Sequence, residues 1–304
     1  MDDFNLICAV VVTYNIGSIY ERNFLSLVDQ VDKIIIVDNH STAETRTTLV
    51  KIKNNYCDKV EVLFNESNLG LAHAQNQGLQ IAIDQQFTWV MLLDHDSRLD
   101  SELIAQIKQA YCHMDPKQQD SVGILAPNIY DVNAQSFSSY VLPLLAIGFK
   151  RRHCVNCGTL STLAVIASGS IIKVSALKKV GLMNEKLFID AIDTEFCLRL
   201  ISKHFSIYVV EKAILYHELG NRKTYQIGPV KIIPTFHSPL RRYYIYRNRI
   251  FVWKKYWNKV PSYILFEFMA TINDLLRIVF FEDEKVPKLT QVCRGFGDGV
   301  RNKL

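Results

Sequence analysis

Short apolar runs rich in β-branched residues alternate with helically spaced segments through the first half of the chain. Leu6–Thr13 and Lys33–Val37 read as strands buried on both faces, because their apolar character is continuous rather than alternating. Between them Ile19, Phe24, Leu27 and Val28 recur at helical spacing, and a second helix follows Ser41-Thr42. A strand at Val60–Phe64, a helix over Gly70–Phe87 and a strand at Thr88–Leu93 continue the pattern. A helix over 100–113 and a strand over 122–126 extend it. This order predicts an α/β fold with a mostly parallel, Rossmann-like sheet, whose ligands collect at the carboxyl ends of the strands.

The second half is less regular. Residues 128–162 show no clear period and read as a long loop with irregular strands. Leu163–Ile172 is a regular apolar run, Asp193 opens a helix, and Ser206–Val210 is a strand. In Ser262–Phe280 the residues Ile264, Phe268, Ile272, Leu275 and Val279 form a helical apolar stripe. The expected division is a nucleotide-binding and catalytic domain over 1–220, then a basic-aromatic segment with amphipathic C-terminal helices over 221–304.

Composition narrows the class. The chain of 304 residues is 49% hydrophobic and 21% charged, which is globular and not disordered. No apolar stretch is long enough to span a bilayer, and the acidic opening Met1-Asp2-Asp3 leads into no cleavage site, so no secretory leader is expected. Seven cysteines without framework spacing fit a reducing compartment. A cytoplasmic protein is expected, with peripheral contact at the cytoplasmic face of the membrane. Cys154 and Cys157 form one Cys-x-x-Cys pair, but zinc needs a second pair, and Gly158 follows instead of a helix.

The net charge of +5 conceals an asymmetry. Ten Lys or Arg residues and no Asp or Glu lie in 221–260, so 25 of the 35 basic residues and all 30 acidic ones lie elsewhere. Aromatic residues from Tyr225 to Trp257 are interleaved with them. Such a stretch suits nucleic acid, an anionic membrane surface or a diphosphate, and composition does not choose among these. The outer residues Lys254, Lys255 and Lys259 are expected to face anionic lipid or a lipid-linked acceptor.

Three strands end in polar residues that should share one edge of the sheet: Thr13-Tyr14-Asn15, Asp38-Asn39-His40-Ser41 and Asp94-His95-Asp96-Ser97. Carboxylates at such an edge suit a nucleotide and a divalent cation. A single Asp such as Asp38 is as readily a cap or turn residue. Asp94 and Asp96 are sharper, since alternate residues of an extended segment face one ligand while His95 faces elsewhere.

These motifs, with Asn68-Leu69-Gly70 through Asn76-Gln77-Gly78, resemble the ordered motifs of glycosyltransferase family 2, which has a GT-A fold and an inverting mechanism. The likeness continues through Ala167-Ser168-Gly169-Ser170, the run Phe188 to Arg199, and Tyr216-His217-Glu218. With Arg242-Tyr243-Tyr244 and Tyr246-Arg247-Asn248, it resembles the branch that uses dTDP-L-rhamnose.

The resemblance implies that Thr13, Tyr14, Asn15, Asp38, Asn68, Gly70, Asn76 and Asp94 bind the donor nucleotide sugar. It also implies that Asp94, Asp96 and His217 hold Mn²⁺ or Mg²⁺. Ser168, Gly169, Asp190, Glu195, Arg242, Tyr243 and Arg247 are candidates for acceptor or phosphate binding. An inverting displacement needs a carboxylate base. Asp190, Asp193 and Glu195 are candidates, and Asp193 matches the family position best. Many members carry Arg before the asparagine of the helix after the glycine loop, where this chain has Gln75. The expected activity is a rhamnosyltransferase acting on a surface glycan, such as O-antigen, or its lipid-linked precursor. A nucleotidyltransferase would need a glycine-rich basic loop that Val10–Ile16 lacks. A non-catalytic membrane- or nucleic-acid-binding protein would leave Asp94, Asp96 and Asp193 unexplained.

Overall fold

The computed structural model describes residues 4, 6–217, 225–227, 230–232 and 235–304. The predicted alternation is present as β1 (Ile7–Thr13), α1 (Tyr20–Leu25), β2 (Lys33–Asp38), α2 (Ala43–Asn55), β3 (Val60–Phe64), α3 (Leu71–Asp84) and β4 (Trp89–Asp94). It continues with β5 (Arg98–Leu99), α4 (Leu103–Cys112), α5 (Pro116–Ser121) and β6 (Val122–Asp131). Residues 128–162 are more regular than expected. They finish β6 and then form β7 (Ser136–Phe137), a hairpin of β8 (Ser139–Leu144) with β9 (Gly148–His153), and β10 (Thr159–Ser161). Leu163–Ile172 is less regular than expected, since only β11 (Ile171–Lys173) is a strand there. The chain proceeds through α6 (Val174–Val180), α7 (Ile192–Ile201), β12 (Ser206–His217), β13 (Tyr225–Ile227) and β14 (Val230–Ile232). Three helices close it: α8 (Pro239–Tyr256), α9 (Pro261–Phe281) and α10 (Lys285–Val300).

Among the described residues the main sheet runs β10-β12-β6-β11-β4-β1-β2-β3. β3, β2, β1, β4, β6 and β12 point one way, and β11 and β10 run against them. Buried residues alternate between its faces. Ala9, Val11, Ile34, Ile36 and Met91 pack toward Phe24, Leu49 and Ile107. Cys8, Val10, Ile35, Val37 and Val90 pack toward Leu79, Leu177 and Phe196. Helices therefore cover both faces, which is why the strand sequences are apolar throughout.

The basic stretch becomes α8, and its charge is answered from within the chain. Ser238 caps it by accepting from Arg241 N at 3.3 Å, with Pro239 in the first turn. Arg242 donates to both oxygens of Asp274 at 2.8 Å and to Glu282 at 2.6 Å. Arg249 meets Glu267 at 3.1 Å, and Lys288 meets Glu282 at 3.0 Å. α10 approaches α8 through glycines: a Cβ at Gly299 would lie 2.7 Å from the Arg247 carbonyl oxygen, and one at Gly295 would strike Tyr243 O. The boundary expected at Gly220/Asn221 lies outside the described residues, as do Glu218, Arg222 and Lys223.

Arg242 is fully buried in this ion network. Arg242→Ala should cost about 3 kcal/mol, because it removes a buried cation bonded to both acids and leaves Glu282 with Lys288 and Asp274 with the more distant Arg249. Denaturant melts measure this directly. Unchanged stability with weaker donor binding would instead restore Arg242 as a phosphate contact.

Candidate active site

The register delivers three strand ends to one edge. Thr13 pairs with Asp38 across β1 and β2, and Val12 pairs with Asp94 across β1 and β4. β5 pairs antiparallel with β12, Arg98 opposite Tyr216, which carries the Asp94–Ser97 turn to His217. Ser97 Oγ lies 3.0 Å from His217 Nδ1 and 2.7 Å from Ser168 Oγ. Ser168 Oγ also accepts from the Asp94 N–H at 3.1 Å. This hydroxyl pair fixes the turn and the imidazole together. Asp96 Oδ1 lies 3.5 Å from His217 Nδ1. One donor atom each from Asp94, Asp96 and His217 fall within 4.8 Å of one another. Two carboxylates and an imidazole converging at that spacing could hold a divalent cation, and hard oxygen donors favour Mn²⁺ or Mg²⁺ over softer ions.

A cleft of about 660 Å³ opens over this edge. Asp94, Asp96, His217, Asp190 and Asp193 all line it. Burial, then Asp96 and Asp193, push the Asp94 carboxyl up to about 7. Burial likewise raises Asp193 to about 6, with Asp190 adding to it, although backbone N–H groups at Thr194 and Ala167 pull the other way. Asp190 is neutralised by a bidentate pair with Arg241, at 2.9 and 3.0 Å. His237 beside that pair is held down to about 4, chiefly by burial and then by Arg241 and Arg242, so it is neutral near pH 7.

The loop that carries Asp190 is strained and clamped. Phe188, Asp190 and Ala191 all have positive φ, at 50°, 64° and 61°. The Asn248 amide on α8 donates to the carbonyls of Leu187, Ile189 and Asp190, at 2.8, 2.8 and 2.9 Å. Gly70 fits under this loop at φ 87°, where a Cβ would sit 2.6 Å from the Phe188 ring.

Several expected residues have other partners. Thr13 and Asp38 are fully buried, bonded to each other at 3.2 Å, and Asp38 also meets Arg46 at 3.1 Å. Asn15 accepts from the Thr42 N–H at 2.9 Å. Neither Asp38 nor Asn15 lines the cleft, whereas Tyr14, Asn68 and Gly70 do. Asn76 is buried against Met183 and Glu185. Gly169 N–H donates to Leu92 O at 2.7 Å, locking the 163–170 crossing onto β4.

Glu195, an acceptor or base candidate by sequence, lies away from the cleft lining. It is fully buried and accepts from Arg199, Lys255 and Tyr256, at 2.9, 2.7 and 2.7 Å. Two residues of helix separate it from Asp193 by about 200°, so the two point to opposite sides. Arg242, Tyr243 and Arg247 likewise lie away from the cleft lining. Tyr243 OH donates to Asp298 at 3.0 Å, and Arg247 donates to Asn248 and to Lys186 O. All three belong to helix packing and none lines the cleft. Lys255 is committed to Glu195, and Lys254 donates to Val300 O at the end of α10.

The sequence reading missed Asn39, Gln75, Thr235, His237 and Arg241 as cleft residues. Asn39 bonds Asn68 at 2.9 Å and stood inside a motif already quoted. Gln75 is buried, and its Oε1 has no partner among the described residues. Its place where the family often has Arg was the available signal.

The comparisons agree with this geometry. The family model for glycosyl transferase family 2 matches residues 8–181, and the chain belongs to that family. The chain is 28% identical, over 97% of its length and 95% of the relative's, to dTDP-rhamnosyl transferase RfbF of Shigella flexneri. Among solved structures it is similar to TarS 1-349 of S. aureus in complex with UDP-GlcNAc, with TM-score 0.63 and 16% identity. That match covers 98% of this chain and 81% of the other. It is also similar to GalNAc-T7 with UDP, GalNAc and Mn2+, with TM-score 0.62 and 17% identity, over 85% of this chain but only 50% of that one. These likenesses show the GT-A fold. The protein is therefore a glycosyltransferase, with the nucleotide-sugar fold predicted for it.

Asp94 is a partly buried carboxyl, pushed up to about 7 by burial and then by Asp96 and Asp193. Asp94→Asn should raise the Tm in chelator by several degrees, about 3 °C for each kcal/mol of repulsion removed. It should also abolish the extra stabilisation that Mn²⁺ gives the wild type. A Tm that falls, with the Mn²⁺ effect intact, would remove Asp94 from the metal site.

Proposed function

We propose that this enzyme is an inverting rhamnosyltransferase that moves L-rhamnose from dTDP-L-rhamnose onto a glycan hydroxyl. The observation that carries the chemistry is the cleft itself, which Asp94, Asp96, His217 and Asp193 line together. The relative named as a dTDP-rhamnosyl transferase, matched nearly end to end, supports the donor. The GalNAc-T7 structure with Mn2+ supports a divalent cation at Asp94, Asp96 and His217. A bound cation supplies charge neutralisation for the departing diphosphate. Tyr14, Asn39 and Asn68 line the nucleotide side, and Gln75 offers an unused acceptor to the donor. Asp193 takes the proton of the acceptor hydroxyl as its oxygen bonds to the anomeric carbon, and the bond to the diphosphate breaks with its electrons leaving on dTDP. Residues 1–220 act as the catalytic domain, and 221–304 brace it.

Peripheral membrane contact is placed on α9, because Lys255 is paired with Glu195 and Lys254 with the end of α10. Met269, Ile272 and Leu276 are exposed by 46–55% on one face of that helix, and among the described residues no helix is long and apolar enough to cross a membrane. A lipid-linked O-antigen precursor as acceptor fits that surface. Met269→Glu with Ile272→Glu should release the protein from vesicles and spare transfer to a soluble acceptor. Vesicle binding that survives the pair would set the face aside.

Turnover of dTDP-rhamnose with acceptor should vanish in chelator and return with Mn²⁺ or Mg²⁺. Asp193→Asn should lower kcat by a factor on the order of 100 to 10,000 while leaving donor Kd nearly unchanged. Because Asp193 sits near 6, the wild-type acid limb should fall near pH 6 and not near 4, since protonation below that point removes the base. Full turnover in chelator, or a donor screen in which another nucleotide sugar outpaces dTDP-rhamnose, would overturn the metal or the rhamnose assignment respectively.

A further inference from the structure

A second cavity, of about 220 Å³, adjoins the cleft and differs from it chemically. Its walls come from β6, β8, the 164–168 crossing and the first turns of α7 and α9. Tyr140, Tyr263 and Phe266 supply aromatic surface, while Ser138, Ser139 and Thr194 supply hydroxyls. Asp193 and Ile166 line both cavities, so the carboxylate that faces the donor also faces this pocket. No Lys, Arg or His lines it, whereas the cleft has Arg241, His217 and His237.

The lining decides what can enter. A phosphate would meet the Asp193 carboxylate with no cation to offset the repulsion. A bare hydrocarbon chain would bury the serine hydroxyls and the carboxylate without partners. A neutral pyranose has both surfaces required: an apolar C–H face and a rim of hydroxyls. The cavity is large enough for one ring and too small for an oligosaccharide. Resting on the transferase reading, we infer that this cavity is the acceptor subsite. In it the terminal pyranose lies with its C–H face on Tyr140, Tyr263 and Phe266, and its attacking hydroxyl is directed at Asp193. That hydroxyl gives its proton to Asp193 as its oxygen bonds to the anomeric carbon of the donor, and the nucleoside diphosphate leaves with the electron pair.

Part of this pocket lies outside the family-matched residues. Asp193, Thr194, Tyr263 and Phe266 all follow residue 181. Tyr263 is also held in a buried cluster with Val141, Leu198 and Tyr256, so the first turn of α9 is fixed against the catalytic domain. The C-terminal extension thereby gains a role in choosing the acceptor, separate from donor binding.

The test uses the full-length protein and p-nitrophenyl pyranosides spanning hexoses, 6-deoxyhexoses and N-acetylhexosamines. Saturation-transfer NMR scores their binding to wild type, Ser139→Trp and Phe266→Ala. Ser139 is half-buried, so a tryptophan there fills the pocket without disturbing the core. Thermal shift with dTDP serves as the fold and donor check. At least one pyranoside should bind the wild type, weaken tenfold or more in both variants, and leave the dTDP shift unchanged. Binding that is absent from the wild type, or indifferent to both variants, overturns the subsite. Loss of dTDP binding by the wild type would instead sink the transferase reading, and pyranoside binding would still score the pocket independently.

Discussion

The site depends on crowded negative charge at one edge of the sheet. Parallel register brings the ends of β1, β2 and β4 level, so Asp94 arrives beside Asp96, and the left-handed loop before α7 brings Asp190 and Asp193 across from them. Buried like charges repel strongly. One of these carboxylates, Asp190, has an internal cation in Arg241. Asp94 and Asp193 are instead raised above the ordinary carboxylate range, chiefly by burial. A cleft in that state is suited to a cation on one side and to a proton acceptor on the other. The same residues held apart, in water, would do neither.

The surrounding structure serves to keep that arrangement from relaxing. Ser97 and Ser168 tie the Asp94–Ser97 turn to His217, and the two-residue strand β5 is long enough only to set that approach. On the opposite wall, Asn248 satisfies three carbonyls of a loop with three residues at positive φ. Such backbone costs on the order of 1–3 kcal/mol per residue and persists only where neighbours over-determine it. α8 therefore braces the site: Arg241, Arg242 and Arg249 pair with internal acids, and Arg247 donates to Asn248 and the Lys186 carbonyl.

The parallel half of the fold was legible because buried parallel strands carry an unmistakable continuous apolar pattern, and Asp94-His95-Asp96 stood at the end of one. The C-terminal helices were harder. α8 is buried on several sides by aromatics and arginines, so it shows no apolar stripe of helical period, and α10 contains Gly295, Gly297 and Gly299, poor helix formers of which Gly295 and Gly299 are required by the close approach to α8. The excess of positive charge in 221–260 was real in the sequence and misleading in meaning. Its partners, Glu195, Glu267, Asp274 and Glu282, are distant along the chain, and no local pattern announces them. Glu195 has distant partners for a related reason: its spacing from Asp193 puts it on the far side of α7, which begins at Ile192, one residue before the start read from the sequence.

α8 thus supports Asp193 by two routes. Its loop is held by Asn248 from the middle of α8, and its helix is held by Glu195, which Lys255 and Tyr256 grip from the end of α8. Rotating α7 by two residues, about 200°, would turn Asp193 out of the cleft and bring a buried, ion-paired glutamate into its place. The Glu195 cluster opposes that rotation, because it would part a fully buried carboxylate from Arg199, Lys255 and Tyr256, which all donate to it. The base is therefore oriented by charges it never touches. Substitutions in α8 that preserve helix packing but release Glu195 act on the orientation of Asp193 before they act on anything in contact with substrate.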